Sequence, residues 1–198
     1  RAFRRRFGWA ALILWLSINI WNLFILPPEV KYPLMWCDII SLAAVGVLLL
    51  GNRWMRAMLY FWLPFSSLAF VIPTLRVGPA HPVYYLFWIQ HALILGVGLY
   101  DIIICGLRPN VKDLWINIKI SMSITVVLFT LDAITGWNYG FVGPDNPERP
   151  VPIINDLGPW PWRVGILIPL IILMFGLQVA PWMLWRSWKE KREKEKSG

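Results

Sequence analysis

The sequence predicts an all-α, polytopic membrane protein with about six transmembrane helices in one bundle and both termini in the cytoplasm. The chain is 58% hydrophobic and only 15% charged, whereas soluble domains are closer to half apolar and a quarter charged. Six apolar runs approach the length of about 20 residues that a helix needs to cross hydrocarbon. Positive charge also differs between alternate loops, as in proteins whose cationic loops stay in the cytosol.

The six predicted spans form a single transmembrane domain, 1–198, in which proline and glycine residues mark most of the helix ends. Their approximate bounds are 7–26, 34–50, 54–72, 82–107, 111–136 and 162–185. Pro64 lies within the third span and predicts a kink there. Residues 186–198 form a basic cytoplasmic tail in which Lys and Arg alternate with Glu, which is typical of a solvated helical extension. A contact of this tail with anionic lipid or a partner is the alternative.

The distribution of basic residues predicts the orientation of the chain in the membrane. Fifteen of the 19 Lys and Arg residues fall on one predicted side. The other four are Lys31, Arg76, Arg149 and Arg163. This asymmetry predicts that the loop from about 137 to 161 is external. The net charge of +8 comes from short loops and termini rather than from a polar domain, so we expect no nucleic-acid partner. Membrane lipids are the expected partners, and other membrane subunits are the alternative.

Ionisable side chains inside a membrane are costly and therefore indicate a partner or a function. The predicted helix depths place one group of polar residues in the outer half of the bilayer: Cys37, Asp38, His91, Asp132 and Asn138. Asp101 and Cys105 belong to the inner half and to a separate environment. For the three aspartates, hydrogen bonds between helices or pairing with basic side chains compete with a proton or ion path. The two cysteines lie on opposite predicted sides, so neither a disulfide nor a metal site is predicted.

Cys37 and His91 are candidate catalytic residues because a thiol and an imidazole at similar depth can carry out nucleophilic acyl transfer. The imidazole takes the thiol proton, and the thiolate attacks an ester carbonyl. The structural alternatives are that Cys37 is a small buried hydrophobe and that His91 hydrogen-bonds a neighbouring helix.

Three of the 14 tryptophans, Trp15, Trp62 and Trp88, lie too deep for an aromatic belt at the membrane interface. Helix packing is the favoured interpretation, and contact with a hydrophobic cofactor or a neighbouring subunit is the alternative. No cofactor is predicted and no cofactor-binding residue is assigned. We expect bound lipid, with a hydrophobic pigment or a quinone as alternatives.

Five short motifs occur in an order that resembles a known family. They are YPLMWCD at 32–38, YLFWIQHALI at 85–94, LRP at 107–109, NY at 138–139 and LGPWPW at 157–162. Together they resemble the YwaF-like family of bacterial integral membrane proteins, over residues 21–182. That family is similar to an animal transmembrane acyltransferase that remodels ether phospholipids with a cysteine and a histidine.

The resemblance implies a multi-pass protein of the bacterial inner membrane that acts on lipid in the outer leaflet, as an acyltransferase or a hydrolase. Cys37 would be the acyl-accepting nucleophile and His91 its base. The supporting polar residues would be Asp38, Asp132, Asn138 and Tyr139.

Two positions depart from the family pattern. Met35 stands where the family usually has a histidine, and 64–67 replaces a polar glycine-glutamine stretch. A relative with the fold but an altered site would serve as a non-catalytic structural or accessory subunit of a larger membrane complex, such as a photosynthetic or respiratory assembly. That is the alternative function.

Overall fold

A computed structural model describes residues 2–75, 77–147, 151 and 153–197, and it is helical as the sequence predicts. The α-helices within those ranges are α1 (Ala2–Ile25), α2 (Pro28–Lys31), α3 (Trp36–Leu49), α4 (Arg53–Ser67), α5 (Pro82–Ile103), α6 (Val111–Thr135) and α7 (Trp162–Ser197). Single 3₁₀ turns lie at Leu68–Phe70, Tyr139–Phe141 and Asn155–Leu157. The predicted all-α class is confirmed, and the chain is a multi-pass membrane protein.

Six long helices run alternately up and down, with α3 and α4 at the centre of the bundle. α3 packs on α1, α4 and α5, while α4 packs on α3, α5 and α6. In the described part of the chain, five spans have the length and composition to cross a membrane: Ala2–Ile25, Pro28–Leu49, Pro82–Ile103, Val111–Thr135 and Trp162–Lys196. The sixth long helix, α4, has 15 residues.

The third predicted span, 54–72, was too long at its carboxyl end, because α4 ends at Ser67. Pro64 has no backbone N–H to continue the helical ladder, and the chain tightens four residues later into the 3₁₀ turn at Leu68–Phe70. At about 1.5 Å per α-helical residue and 2.0 Å per 3₁₀ residue, the two pieces together span about 28 Å. That length is close to the hydrocarbon thickness.

Three other helix ends differ from the predicted bounds by four residues or more. α1 begins at Ala2 rather than at 7. α5 stops at Ile103 rather than at 107, and Gly106, with φ of +65°, follows in the loop. α7 continues to Ser197 rather than ending at 185, so the basic tail extends that helix. Lys189 and Glu193, one turn apart, lie 3.7 Å from each other on it.

One end of the bundle collects the cationic loops, and we call it the basic end. It comprises residues 2–6, 49–56, 101–113 and 186–196. Arg56 pairs with Asp101 at 2.9 Å, and Arg53 pairs with Asp113. Arg186 donates to the backbone carbonyl of Arg108 at 2.8 Å, which brings α7 to the same end. The start of α1 and the end of α7 therefore lie at the same end of the bundle. Three of the basic residues that predict the orientation, Arg1, Arg76 and Arg149, fall outside the described residues.

The deep tryptophans pack inside the bundle. Trp62 stacks on Trp36 with 3.9 Å between ring centroids and donates from Nε1 to Ser121 Oγ at 2.9 Å. Trp15 Nε1 donates to the backbone carbonyl of Asp38 at 3.2 Å. Trp88 packs beside Phe70, at 5.7 Å between centroids. Each indole contributes apolar area, and two of the three also join helices through their N–H groups.

Removing the charge from Asp101 should destabilise the fold, because the buried carboxylate neutralises Arg56 between α4 and α5. We expect Asp101→Asn to lower the free energy of unfolding by about 3 kcal/mol, measured by denaturation in mixed micelles. The matched control is Glu193→Gln, which removes an exposed partner of Lys189 and should have little effect. Equal stabilities of the two variants would contradict this assignment.

Candidate functional site

The structure brings together the two residues that the sequence singles out for chemistry. Cys37 is the second residue of α3, and His91 lies near the middle of α5. These two helices pack side by side and run in the same direction, which places His91 Nε2 3.1 Å from Cys37 Sγ. The His91 side chain is buried, and Cys37 is partly exposed. Both lie in the half of the bundle opposite the basic end.

The backbone of α5 determines which nitrogen of His91 carries the proton. His91 Nδ1 lies 2.8 Å from the carbonyl oxygen of Phe87, one turn earlier in the same helix. A carbonyl oxygen only accepts hydrogen bonds, so Nδ1 is the protonated nitrogen of a neutral ring. Nε2 then faces Cys37 Sγ with a free lone pair, as a general base requires.

Asp38 fixes the start of α3 and also contacts a residue that sequence reasoning missed. One carboxylate oxygen accepts from the backbone N–H of Met35 at 3.3 Å. The other accepts from Gln90 Nε2 at 2.8 Å, and the same Gln90 nitrogen lies 3.2 Å from Ser41 Oγ. Gln90 precedes His91 directly, and its amide inside a predicted span was the signal that could have identified it. The α3 to α5 contact is therefore held by the bonds of Gln90 next to the contact between His91 and Cys37.

Aromatic rings enclose the imidazole. The ring of Phe87 lies 4.2 Å from the ring of His91. Phe70, from the 3₁₀ turn after α4, approaches at 6.4 Å with its plane nearly perpendicular. These rings exclude water from the buried side of His91, so the hydrogen bond to Cys37 forms in an environment of low dielectric.

The other predicted polar residues hold a loop and do not contact the thiol or the imidazole. Asp132 accepts from the backbone N–H of Tyr139 at 3.0 Å, and Asn138 accepts from that of Gly143 at 2.9 Å. The Tyr139 hydroxyl donates to the carbonyl of Pro28 at 2.9 Å and accepts from the backbone N–H of Tyr32 at 3.1 Å. Burial raises the pKa of Tyr139 to about 12, so this hydroxyl keeps its proton.

The loop after α6 is in turn bonded to the start of α3. Trp36, which precedes Cys37, donates from Nε1 to the carbonyl of Gly140 at 3.2 Å. Trp160 donates to the carbonyl of Val142 at 2.9 Å. Arg163 is fully buried, donates to the carbonyl of Gly143 at 2.6 Å and pairs with Asp145. This segment thus supports the backbone on which the thiol is carried.

Asp101 and Cys105 belong to the basic end, as their predicted depth indicates. Asp101 pairs with Arg56, and Cys105 is a free, exposed thiol beyond the end of α5. Cys105 follows His91 by 14 residues, which corresponds to roughly 20 Å along a helix. Within the ranges that the structure describes, there is no group of three or more His, Cys, Asp or Glu residues that could hold a metal ion.

Comparison with known protein families identifies a match over most of the chain. A family model described as the TMEM164 family matches residues 1–179, which include Cys37, His91 and the loop after α6. No curated protein and no solved structure matches the chain.

Adding a methyl group at Gly143 should displace the loop after α6. A Cβ there would collide with the carbonyl oxygen of Trp137 and lie 2.7 Å from Cα of Asn138, both of them backbone atoms. We expect Gly143→Ala to lower the free energy of unfolding by about 1–3 kcal/mol, measured by denaturation in mixed micelles. Gly176→Ala, where an added Cβ meets nothing within 4 Å, should be neutral or stabilising. Equal stability of the two variants would contradict the proposed packing of this loop.

Proposed function

This chain belongs to the TMEM164 family of membrane proteins, and from that premise we propose that it is a lipid acyltransferase or lipid hydrolase with Cys37 as nucleophile and His91 as base. The observation that carries the proposal is the hydrogen-bond pattern of His91. Nδ1 donates to Phe87, and Nε2 lies 3.1 Å from the thiol. A neutral imidazole in this tautomer is ready to accept a proton from sulfur.

The first half-reaction forms a thioester. His91 Nε2 takes the proton of Cys37, and the sulfur attacks the carbonyl carbon of a lipid ester. The tetrahedral intermediate then breaks the bond between carbon and alkoxy oxygen, and the imidazolium returns the proton to the departing alcohol. Cys37 carries the acyl group, and His91 is neutral again.

The second half-reaction decides between transfer and hydrolysis. An acceptor hydroxyl loses its proton to His91 Nε2 while its oxygen attacks the thioester carbonyl. The sulfur leaves as thiolate and recovers the proton from the imidazolium. A lipid hydroxyl as acceptor gives acyl transfer, and water gives hydrolysis.

Two opposing influences act on the thiolate. Cys37 lies in the first turn of α3, where the helix dipole and free backbone N–H groups favour negative charge. Burial and the neighbouring Asp38 carboxyl oppose it. The thiolate therefore forms as an ion pair with His91, which keeps the pair neutral overall.

The position of the site favours a lipid substrate. Cys37 lies in the span Pro28–Leu49, and His91 lies in the span Pro82–Ile103, so an ester reaches them from the bilayer. A cavity of about 10 Å³ lies between α1, α3 and α5, lined in part by Trp15, Ser41 and Gln90 but not by Cys37 or His91. It holds no more than about one water molecule, so side chains between α1 and α5 must move to admit an acyl chain.

The proposed location is the inner membrane of a bacterium, with the basic end in the cytosol and the thiol in the outer leaflet. The resemblance to the YwaF-like family supports the bacterial assignment. The collection of Lys and Arg loops at one end of the bundle supports the orientation.

The second candidate is a non-catalytic subunit of a larger membrane complex. Exposed tryptophans favour it, since Trp54 is 62% exposed and Trp115 is 56% exposed, and indoles are common in interfaces. However, Trp15 and Trp88, which the sequence offered for such contacts, pack within the chain. The acyl-transfer proposal therefore comes first.

An acyl-enzyme intermediate is the direct test of this proposal. We expect purified protein incubated with a phospholipid carrying a radiolabelled acyl chain to gain hydroxylamine-sensitive label on Cys37, read by scintillation and peptide mass. Cys37→Ala should remove the label. His91→Gln should slow labelling by at least about 100-fold, because it removes the base.

The chain offers matched controls for both substitutions. Cys105→Ala removes the only other thiol, and His81→Gln removes the only other histidine, so both variants should label at the unmodified rate. Label that survives Cys37→Ala, or appears on Cys105, would overturn the enzyme proposal and leave the subunit candidate.

A further inference from the structure

A long apolar groove lies on the outer face of the bundle, between the start of α1, the end of α3 and the second half of α5. Its volume is about 310 Å³. Phe7, Leu93 and Val97 line its sides. Ala92 and Gly96, one turn apart on α5, form its floor, and a Cβ added at Gly96 would meet nothing within 4 Å. The groove is therefore open where a larger side chain would close it.

The groove opens toward the surroundings of the bundle and not toward Cys37 and His91. Ala92 and Gly96 are exposed, and Phe3 at the mouth is 82% exposed. His91 faces the interior of the bundle on the other side of α5, where it is 2% exposed. An occupant would therefore enter from the lipid, at the basic end.

The mouth of the groove carries positive charge. Arg4 is the charged residue of its lining, which contains no carboxylate. Arg4 Nε is buried without a hydrogen-bond partner in the described part of the chain, and Nη1 lies beside Gly51 at the end of α3. Asp101, which follows the groove residue Tyr100, is already paired with Arg56. The Arg4 guanidinium, with a hydrogen-bond donor that lacks a partner in the described residues, lies at the mouth of an apolar groove. This arrangement complements an anion attached to a hydrocarbon chain.

We propose that this groove binds one anionic phospholipid, with an acyl chain along Leu93, Gly96 and Val97 and the phosphate on Arg4. Basic sites between transmembrane helices on the cytosolic side bind such head groups. The acyl chain is buried against apolar side chains and Gly96, which determine the shape that the site accepts. Arg4 gives the site a preference for negative charge. The inference concerns a site apart from the thiol, and it stands whether or not Cys37 is a nucleophile.

Native mass spectrometry of the full chain in neutral detergent tests this proposal, with phosphatidylglycerol as the anionic lipid and phosphatidylcholine of the same chains as the neutral one. We expect a one-to-one complex with phosphatidylglycerol and a weaker one with phosphatidylcholine. Arg4→Gln should weaken phosphatidylglycerol binding by at least about fivefold and remove the difference between the lipids. Gly96→Phe should abolish the complexes with phosphatidylglycerol and phosphatidylcholine, because the added ring fills the groove.

Matched controls separate the groove from general effects. Arg5→Gln removes an exposed charge one residue away, and Gly176→Phe adds the same ring at another open helical position. Both should bind phosphatidylglycerol as the unmodified chain does. The unfolding midpoint without lipid should be the same for Gly96→Phe and Gly176→Phe, which shows that the groove variant folds.

Three outcomes would overturn the proposal. Equal binding of phosphatidylglycerol and phosphatidylcholine would show that Arg4 does not select for an anionic head group. Glycerol phosphate competing as well as the lipid would indicate a site for a free anion. A dimer that disappears with Gly96→Phe would show that a second copy of the chain occupies the groove.

Discussion

A polar side chain inside hydrocarbon must find its partner within the protein, because no water is present to hydrate it. This constraint explains most of the specific contacts in the bundle. At the basic end, Asp101 pairs with Arg56. In the middle, Ser121 accepts from Trp62. Toward the opposite end, His91 uses one nitrogen for the backbone of α5 and the other for a thiol. Each pairing joins two helices or two turns, so satisfying the polar groups also fixes how the helices pack.

The same constraint produces the chemistry of the site. The amino end of α3 carries the thiol, and the hydrogen bonds of Trp36 to the loop after α6 and of Tyr139 to Pro28 hold that end in place. α5 supplies the imidazole and, through the carbonyl of Phe87, selects the tautomer that accepts a proton. Reactivity therefore depends on backbone positions set by helix packing. The lipid groove differs from the thiol site, because Gly96 leaves space empty and the Arg4 guanidinium has a donor without a partner in the described residues.

The sequence was sufficient for the helices and for the depth of individual residues, because apolar runs and helical rise depend on local chain properties. Counting residues from helix ends placed Cys37 and His91 at the same depth and separated Asp101 from them. Side-chain partners could not be obtained in this way, since they depend on how helices rotate against one another. Asp132 was grouped with the site by depth, but it bonds to the loop. Depth alone also leaves out Gln90, which bonds to Asp38. The apolar run also continues through 68–72, past the end of α4 at Ser67, so composition alone does not mark that helix end.

The tautomer of His91 is the most direct measurement of the central claim. Selective ¹⁵N labelling of histidine in the His81→Gln variant leaves a single imidazole to observe by solid-state NMR in lipid bilayers. We expect a neutral ring with Nδ1 protonated and Nε2 unprotonated, and an Nε2 resonance that shifts when Cys37 is replaced by alanine. A ring protonated on Nε2, or an Nε2 resonance indifferent to that replacement, would contradict the account.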